Sequence, residues 1–133
     1  MFKPFIEVEN ECVLLPNANL IGIVNCWNNS PKLMNSNVDF ENRYKPDVIN
    51  YTSQLDNSWF KFVISNEADW NEIDVAFLMP ELIKKCQIIL MPQGATREEL
   101  ERNRETVISI AIENNVRYTS REHIILWNKK VGV

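Results

Sequence analysis

The stretch Gln87-Ile88-Ile89-Leu90-Met91-Pro92-Gln93-Gly94-Ala95-Thr96-Arg97-Glu98-Glu99-Leu100 decides how the chain is built. Gln87 to Met91 is a short apolar run of the kind that forms a buried strand. Pro92-Gln93-Gly94 reads as a strand-to-helix turn. Thr96, with Glu99 three residues later, has the capping-box spacing that satisfies two orphan backbone N–H groups at a helix start. The helix is predicted to run to about Asn114. Leu100, Val107, Ile108, Ala111 and Ile112 make its apolar stripe, while Glu98, Glu101, Arg102 and Arg104 face water.

The same pattern extends outward in both directions. Upstream, Trp59 to Ile64 reads as a strand, and Asp69 to Lys84 as a helix capped by Asp69 and kinked or interrupted at Pro80. Ile73, Phe77, Leu78, Leu82 and Ile83 would face inward. Pro46 to Leu55 is a weaker helix, with Pro46 suited to its first turn. Pro4 to Val8 alternates apolar and polar residues and Leu20 to Val24 is a β-branched run, so both are predicted strands. Downstream, the apolar run in His123 to Trp127 suits a strand buried on both faces. Strands alternating with helices predict an α/β fold of mostly parallel strands joined by crossover helices, with ligands collecting at the carboxyl ends of the strands.

Composition narrows the class. A chain of 133 residues fits one domain, 1–133, and 45% hydrophobic with 24% charged residues is the profile of an ordinary globular protein, not a disordered or fibrous one. The net charge of -4 gives no footprint for a nucleic-acid backbone, so no nucleic-acid partner is expected. No apolar run of about 18 residues predicts a membrane span, and Met1-Phe2-Lys3-Pro4 lacks the apolar segment of a signal peptide, so a cytoplasmic protein is expected. Cys12, Cys26 and Cys86 are too scattered for a disulfide framework or a CxxC-type metal site, which leaves buried reduced thiols as the plain reading. The first half is rich in asparagine, including Asn25, Asn28, Asn29, Asn35 and Asn37, with no role assigned by pattern alone.

The chemistry lies in the loops that follow strands. Ser30-Pro31-Lys32 sets a hydroxyl, a rigid turn and a flexible cation side by side, suited to a carboxylate or to ribose hydroxyls. Gln93 adds an amide that both donates and accepts. His123, the chain's single histidine, stands beside Glu122 and two residues from Arg121, a polar group available to an anion, although alone it reads as a surface or structural residue. No nucleophile elbow, P-loop or dinucleotide fingerprint occurs, so hydrolase and NTPase readings have no support.

Taken in order, Val8-Glu9-Asn10-Glu11, Asn29-Ser30-Pro31-Lys32-Leu33, Phe60-Lys61-Phe62-Val63, Leu90-Met91-Pro92-Gln93-Gly94, Arg117-Tyr118-Thr119-Ser120-Arg121-Glu122-His123-Ile124 and the tail Trp127 to Val133 resemble one family. The chain resembles the C-terminal half of 7-carboxy-7-deazaguanine synthase, a radical S-adenosylmethionine enzyme of queuosine and 7-deazapurine biosynthesis. The resemblance implies the C-terminal part of an incomplete (β/α) barrel. It also implies conversion of 6-carboxytetrahydropterin to 7-carboxy-7-deazaguanine, with a 4Fe-4S cluster that cleaves S-adenosylmethionine and a magnesium ion near the substrate. By the same resemblance Ser30, Lys32, Gln93 and Glu9 fall on the S-adenosylmethionine side, and His123 and Val133 on the pterin side.

Two departures accompany it. The small glycine that the family has near Glu9 is missing from Glu9-Asn10-Glu11-Cys12. The family's Cys-x-x-x-Cys-x-x-Cys cluster motif belongs to an N-terminal half, and Cys12, Cys26 and Cys86 cannot copy its three thiolates, which leave one iron open for the cofactor. The polypeptide alone is therefore not expected to generate the radical. The expected partner is a cluster-bearing N-terminal half protein that completes a split enzyme, with a homodimer through the open barrel edge next. A non-catalytic half-barrel module or a decayed fragment is the alternative.

Overall fold

The structure is a computed structural model and describes residues 2–130. In chain order its elements are β1 (Glu7–Asn10), α1 (Ala18–Ile21), β2 (Cys26–Asn29), α2 (Phe40–Arg43), α3 (Pro46–Ser53), β3 (Ser58–Ile64), α4 (Glu67–Ile73), β4 (Ile88–Pro92), α5 (Arg97–Asn114), β5 (Arg117–Tyr118) and α6 (Glu122–Trp127). The five strands form one sheet in the order β1-β2-β3-β4-β5, and every neighbouring pair is parallel. The predicted α/β class with parallel strands and crossover helices is what the chain adopts.

The order of the strands is informative. Crossovers between parallel strands are right-handed almost without exception, so a sheet that steps in one direction sends its helices to one face. A doubly wound sheet reverses direction and covers both faces. This sheet never reverses. It is a strip of barrel wall, not closed on itself, with helices outside and a concave face inside.

Burial along β3 follows from that asymmetry. Ser58, Phe60, Phe62 and Ile64 are buried toward the helices, while Trp59, Lys61 and Val63 alternate onto the concave side. Phe60, Phe62, Ile64, Ile88 and Leu90 pack against Ile49 of α3, Ile73 and Phe77 of the α4 region and Val107, Ile110 and Ala111 of α5. Apart from Ala111, each such side chain stabilises the fold by about 1.5–3 kcal/mol. Phe62 meets Phe77 edge-on, with centroids 4.9 Å apart.

Two predicted strands are corrected. Leu20–Val24 is not a strand: its start belongs to the short helix α1, capped by the Asn17 side chain, which accepts from Asn19 N at 2.9 Å. The second strand is instead the polar run Cys26–Asn29. Its pairing is reinforced by Asn29, fully buried, which donates to Ser58 Oγ at 2.8 Å and Trp59 O at 2.9 Å and accepts from Asn10 Nδ2 at 2.7 Å. His123–Trp127 is likewise not a strand but lies in α6, which buries Ile124 and leaves Leu126 and Trp127 exposed. The fifth strand is Arg117–Tyr118, the first extended residues after α5 ends at Asn115 in a left-handed conformation.

Smaller shifts have local causes. β1 starts later than the predicted Pro4–Val8, and α4 is capped by Asn66 rather than Asp69; the Asn66 side chain accepts from Asp69 N at 3.0 Å, while the buried Asp69 accepts from Ser65 N at 2.8 Å. The predicted helix to Lys84 ends early in a wide turn over Asp74–Leu78, just before Pro80. On α5, Ile110 is buried and Ile112 exposed, so the true stripe is Leu100, Val107, Ile110 and Ala111. The asparagines also earn a structural explanation. Asn37, Asn57, Asn115 and Asn128 hold positive φ between 53° and 60°, a conformation asparagine tolerates better than most residues and one that Cys12 and Glu81 share here.

Candidate functional site

The carboxyl ends of the five strands converge on one cleft of about 680 Å³. Glu9 and Glu11 come from β1 and its exit, Ser30 and Lys32 from the loop after β2, Lys61 and Met91 from the concave faces of β3 and β4, and Arg121 and His123 from the segment after β5. A smaller pocket of about 250 Å³ shares Ser30, Lys32, Lys61 and Arg121 with the cleft and adds Gln93. A wider recess of about 840 Å³ shares Gln93, Arg121 and His123 and runs across the first turns of α5. Arg121 lines all three.

Each loop is fixed by its own chemistry. Ser30 N donates to Asn10 O at 2.7 Å, and Pro31 and Leu33 are buried on either side of Lys32, which is left half-buried at the mouth. Lys32 Nζ lies 3.2 Å from Glu11 Oε1 and Lys61 Nζ 4.0 Å from Glu9 Oε1. Exposed pairs of this kind hold by at most about 1 kcal/mol, so either lysine can exchange its carboxylate for an anionic ligand. Gln93 is anchored through its backbone: its N–H donates to Ile64 O at 2.8 Å and its carbonyl accepts from Asn103 Nδ2 at 2.7 Å, which leaves the side-chain amide to face the pocket. Gly94 must be small, because a Cβ there would come within 2.9 Å of Leu100 N. Its carbonyl accepts from Arg121 Nη1 at 2.9 Å, which ties the start of α6, and with it His123, to the loop after β4.

Charge in the cleft is balanced among Glu9, Glu11 and Glu122 against Lys32, Lys61 and Arg121, a lining suited to a ligand carrying both signs. Glu99, at the base of the recess, is held below the usual carboxylate range, first by the N–H of Ala95 at 2.6 Å. The thiols contribute no site. Burial pushes Cys12 up to about 12, and burial followed by the Glu7 carboxylate raises Cys26.

The sequence-predicted residues Glu9, Ser30, Lys32 and His123 line the one cleft, with Gln93 in the adjoining pocket. Val133 lies outside the described residues. Lys61 and Glu11 were missed as lining residues, and Arg121, named only as a polar neighbour of His123, lines the cleft as well. Lys61 was legible in the alternation Phe60-Lys61-Phe62, which turns it away from the core, and Arg121 in its place beside His123.

Comparison with known proteins agrees with the motifs. Over 127 residues, 96% of this chain, the sequence is 29% identical to the 7-carboxy-7-deazaguanine synthase of Pyrobaculum aerophilum, of which it covers 54%. The chain is similar to the 7-carboxy-7-deazaguanine synthases. Over 85 residues, 59% of this chain, it is 36% identical to the 7-carboxy-7-deazaguanine synthase of Halobacterium salinarum, of which that match covers 30%. The chain thus spans about half the length, or less, of the synthases it matches. No family model matches it, and no solved structure does.

The sequence resemblance implies S-adenosylmethionine and a 4Fe-4S cluster, and the residues present suit these two groups differently. The cluster does not fit. Among the described residues no three His, Cys, Asp or Glu side chains gather as metal ligands, and Cys12 is buried while Cys86 is exposed. The small-molecule cofactor does fit the donor set, since the hydroxyl of Ser30, the cation of Lys32 and the amide of Gln93 share one pocket at the strand ends. Among the described residues no helix is long and apolar enough to cross a membrane.

Proposed function

We propose that this chain is the C-terminal component of a 7-carboxy-7-deazaguanine synthase, converting 6-carboxytetrahydropterin to 7-carboxy-7-deazaguanine when a cluster-bearing half completes it. The observation that carries the reading is the convergence of Glu9, Ser30, Lys32 and His123 on one cleft, with Gln93 beside them, at the carboxyl ends of a parallel sheet. Sequence similarity over 96% of the chain supports it.

In this reading Ser30, Lys32 and Gln93 hold S-adenosylmethionine, with Glu9 on the same side. The 4Fe-4S cluster, which would supply the radical chemistry, and the magnesium ion would belong to the completed enzyme, with the cluster's ligands on the completing half and not on this chain. Lys32 offers a cation to the ligand's anionic group after leaving Glu11. His123, on the first turn of α6, positions the pterin, and the Arg121–Gly94 bond fixes its distance from the cofactor loop. The partner half covers the free edge of β1, a strand flanked in sequence by the exposed Phe5, Leu14 and Leu15.

Calorimetric titration of S-adenosylmethionine into the completed complex tests the assignment. Saturable binding that Lys32→Ala weakens, with cluster content unchanged, supports it. Binding that is absent, or indifferent to Lys32, contradicts it and leaves a non-catalytic module.

A further inference from the structure

Lys32 sits in a loop whose shape is held outside the cleft by an ion pair between a buried arginine and a partly buried glutamate. Arg43, at the end of α2, is 6% exposed, and its Nη1 lies 2.6 Å from Glu72 Oε1 on α4. The same guanidinium reaches back to the loop: Nε donates to Val38 O at 3.1 Å and Nη1 lies 3.5 Å from Lys32 O. The second oxygen of Glu72 accepts from Met34 N at 2.9 Å. One ion pair therefore grips backbone groups of three residues within a single seven-residue stretch. Asn35 adds a tie to the sheet, donating from Nδ2 to Val63 O at 2.9 Å.

A pair of opposite charges with one partner buried gains little stability by itself, because the cost of desolvating the arginine offsets much of the attraction. What it offers instead is direction, since each bond fixes a backbone group at a set angle. We infer that Arg43 and Glu72 are positioning residues for the ligand site: they set the course of the Lys32–Val38 loop so that the Lys32 side chain projects over the cleft. The inference rests on the proposed cofactor role of Lys32, and its test separates the two.

The measurement pairs amide hydrogen exchange on the full chain with S-adenosylmethionine titration of the completed complex. The variants are Glu72→Ala, Glu72→Gln and Arg43→Lys, with Val107→Ala in α5 as a control that lowers stability without touching the loop. Glu72→Ala is expected to speed exchange at residues 32–36 selectively and to raise the dissociation constant about tenfold, while Glu72→Gln, which keeps an acceptor for Met34 N, recovers most of both. Arg43→Lys is expected to fall between them, because lysine keeps the charge but not the fork. Unchanged exchange at 32–36 overturns the clamp whatever the ligand does. Faster exchange with unaltered affinity overturns the positioning role, as does an equal loss of affinity in Val107→Ala at matched melting temperature. A parent complex that binds no S-adenosylmethionine overturns the functional reading and with it the cofactor-positioning role, and the exchange data then identify a purely structural clamp.

Discussion

Replacing Asn29 with alanine should cost the sheet several side-chain hydrogen bonds at once, because Asn29 lies on β2 between two paired strands. Its side chain is fully buried and makes three hydrogen bonds, to Ser58 Oγ, to Trp59 O and from Asn10 Nδ2, at 2.7–2.9 Å. At about 1 kcal/mol net for each bond the loss is about 3 kcal/mol, and it grows where the abandoned partners stay dry. Unfolding entropy for 133 residues, at about 2.1 cal/mol/K each, sums to roughly 0.28 kcal/mol/K, so the melting temperature should fall by about 11 °C. Urea unfolding followed by tryptophan fluorescence should show a lower midpoint at unchanged slope. Ser58→Ala removes one of the three partners, and a double-mutant cycle with Asn29→Ala should return a coupling of about 1 kcal/mol. A loss under about 1 kcal/mol, or strictly additive effects, would refute the claim that side-chain hydrogen bonds hold β2 in the sheet.

His123→Ala should raise the KM for the pterin or lower kcat in the completed enzyme while leaving uncoupled cleavage of S-adenosylmethionine intact; collapse of both activities would remove the substrate-positioning role. Gly94→Ala should cost about 1–3 kcal/mol by thermal melting, because the new Cβ meets backbone at Leu100 N, 2.9 Å away, which cannot swing aside. Cys12 links stability to alkaline pH. Its folded thiol stays protonated to about 12 against 9.0 for the free group, so above pH 9 the unfolded chain loses the proton first and stability falls as pH rises, by up to about 1.4 kcal/mol per unit from this thiol. Denaturant titrations between pH 8 and pH 11 should show that slope reduced in Cys12→Ala.

Much of the α/β frame could be read from the chain because local and global preferences agree there. Thr96 caps α5, and Phe60, Phe62 and Ile64 alternate with Lys61 on β3. The misreadings arise where tertiary partners override the residue pattern. Cys26–Asn29 carries residues that favour turns, and it becomes a strand because Asn29 finds its partners on both neighbouring strands. Ile124-Ile125-Leu126-Trp127 looks like a core strand, yet β4 has already paired with Arg117–Tyr118, which leaves the apolar run to form α6 with one buried side. Of the site, the loop residues Ser30, Lys32 and Gln93 were legible as polar groups after strands. Lys61 and Arg121 left local signals, the alternation on β3 and the polar group with His123, but the Arg43–Glu72 clamp, 29 residues apart in sequence, leaves none.

The most direct test of the account is co-expression of this chain with a cluster-bearing half, followed by co-purification, anaerobic reconstitution and an assay of 6-carboxytetrahydropterin turnover with S-adenosylmethionine. The account predicts a stable complex that forms 7-carboxy-7-deazaguanine, with neither half active alone. A chain that joins no such half and binds neither ligand would contradict it.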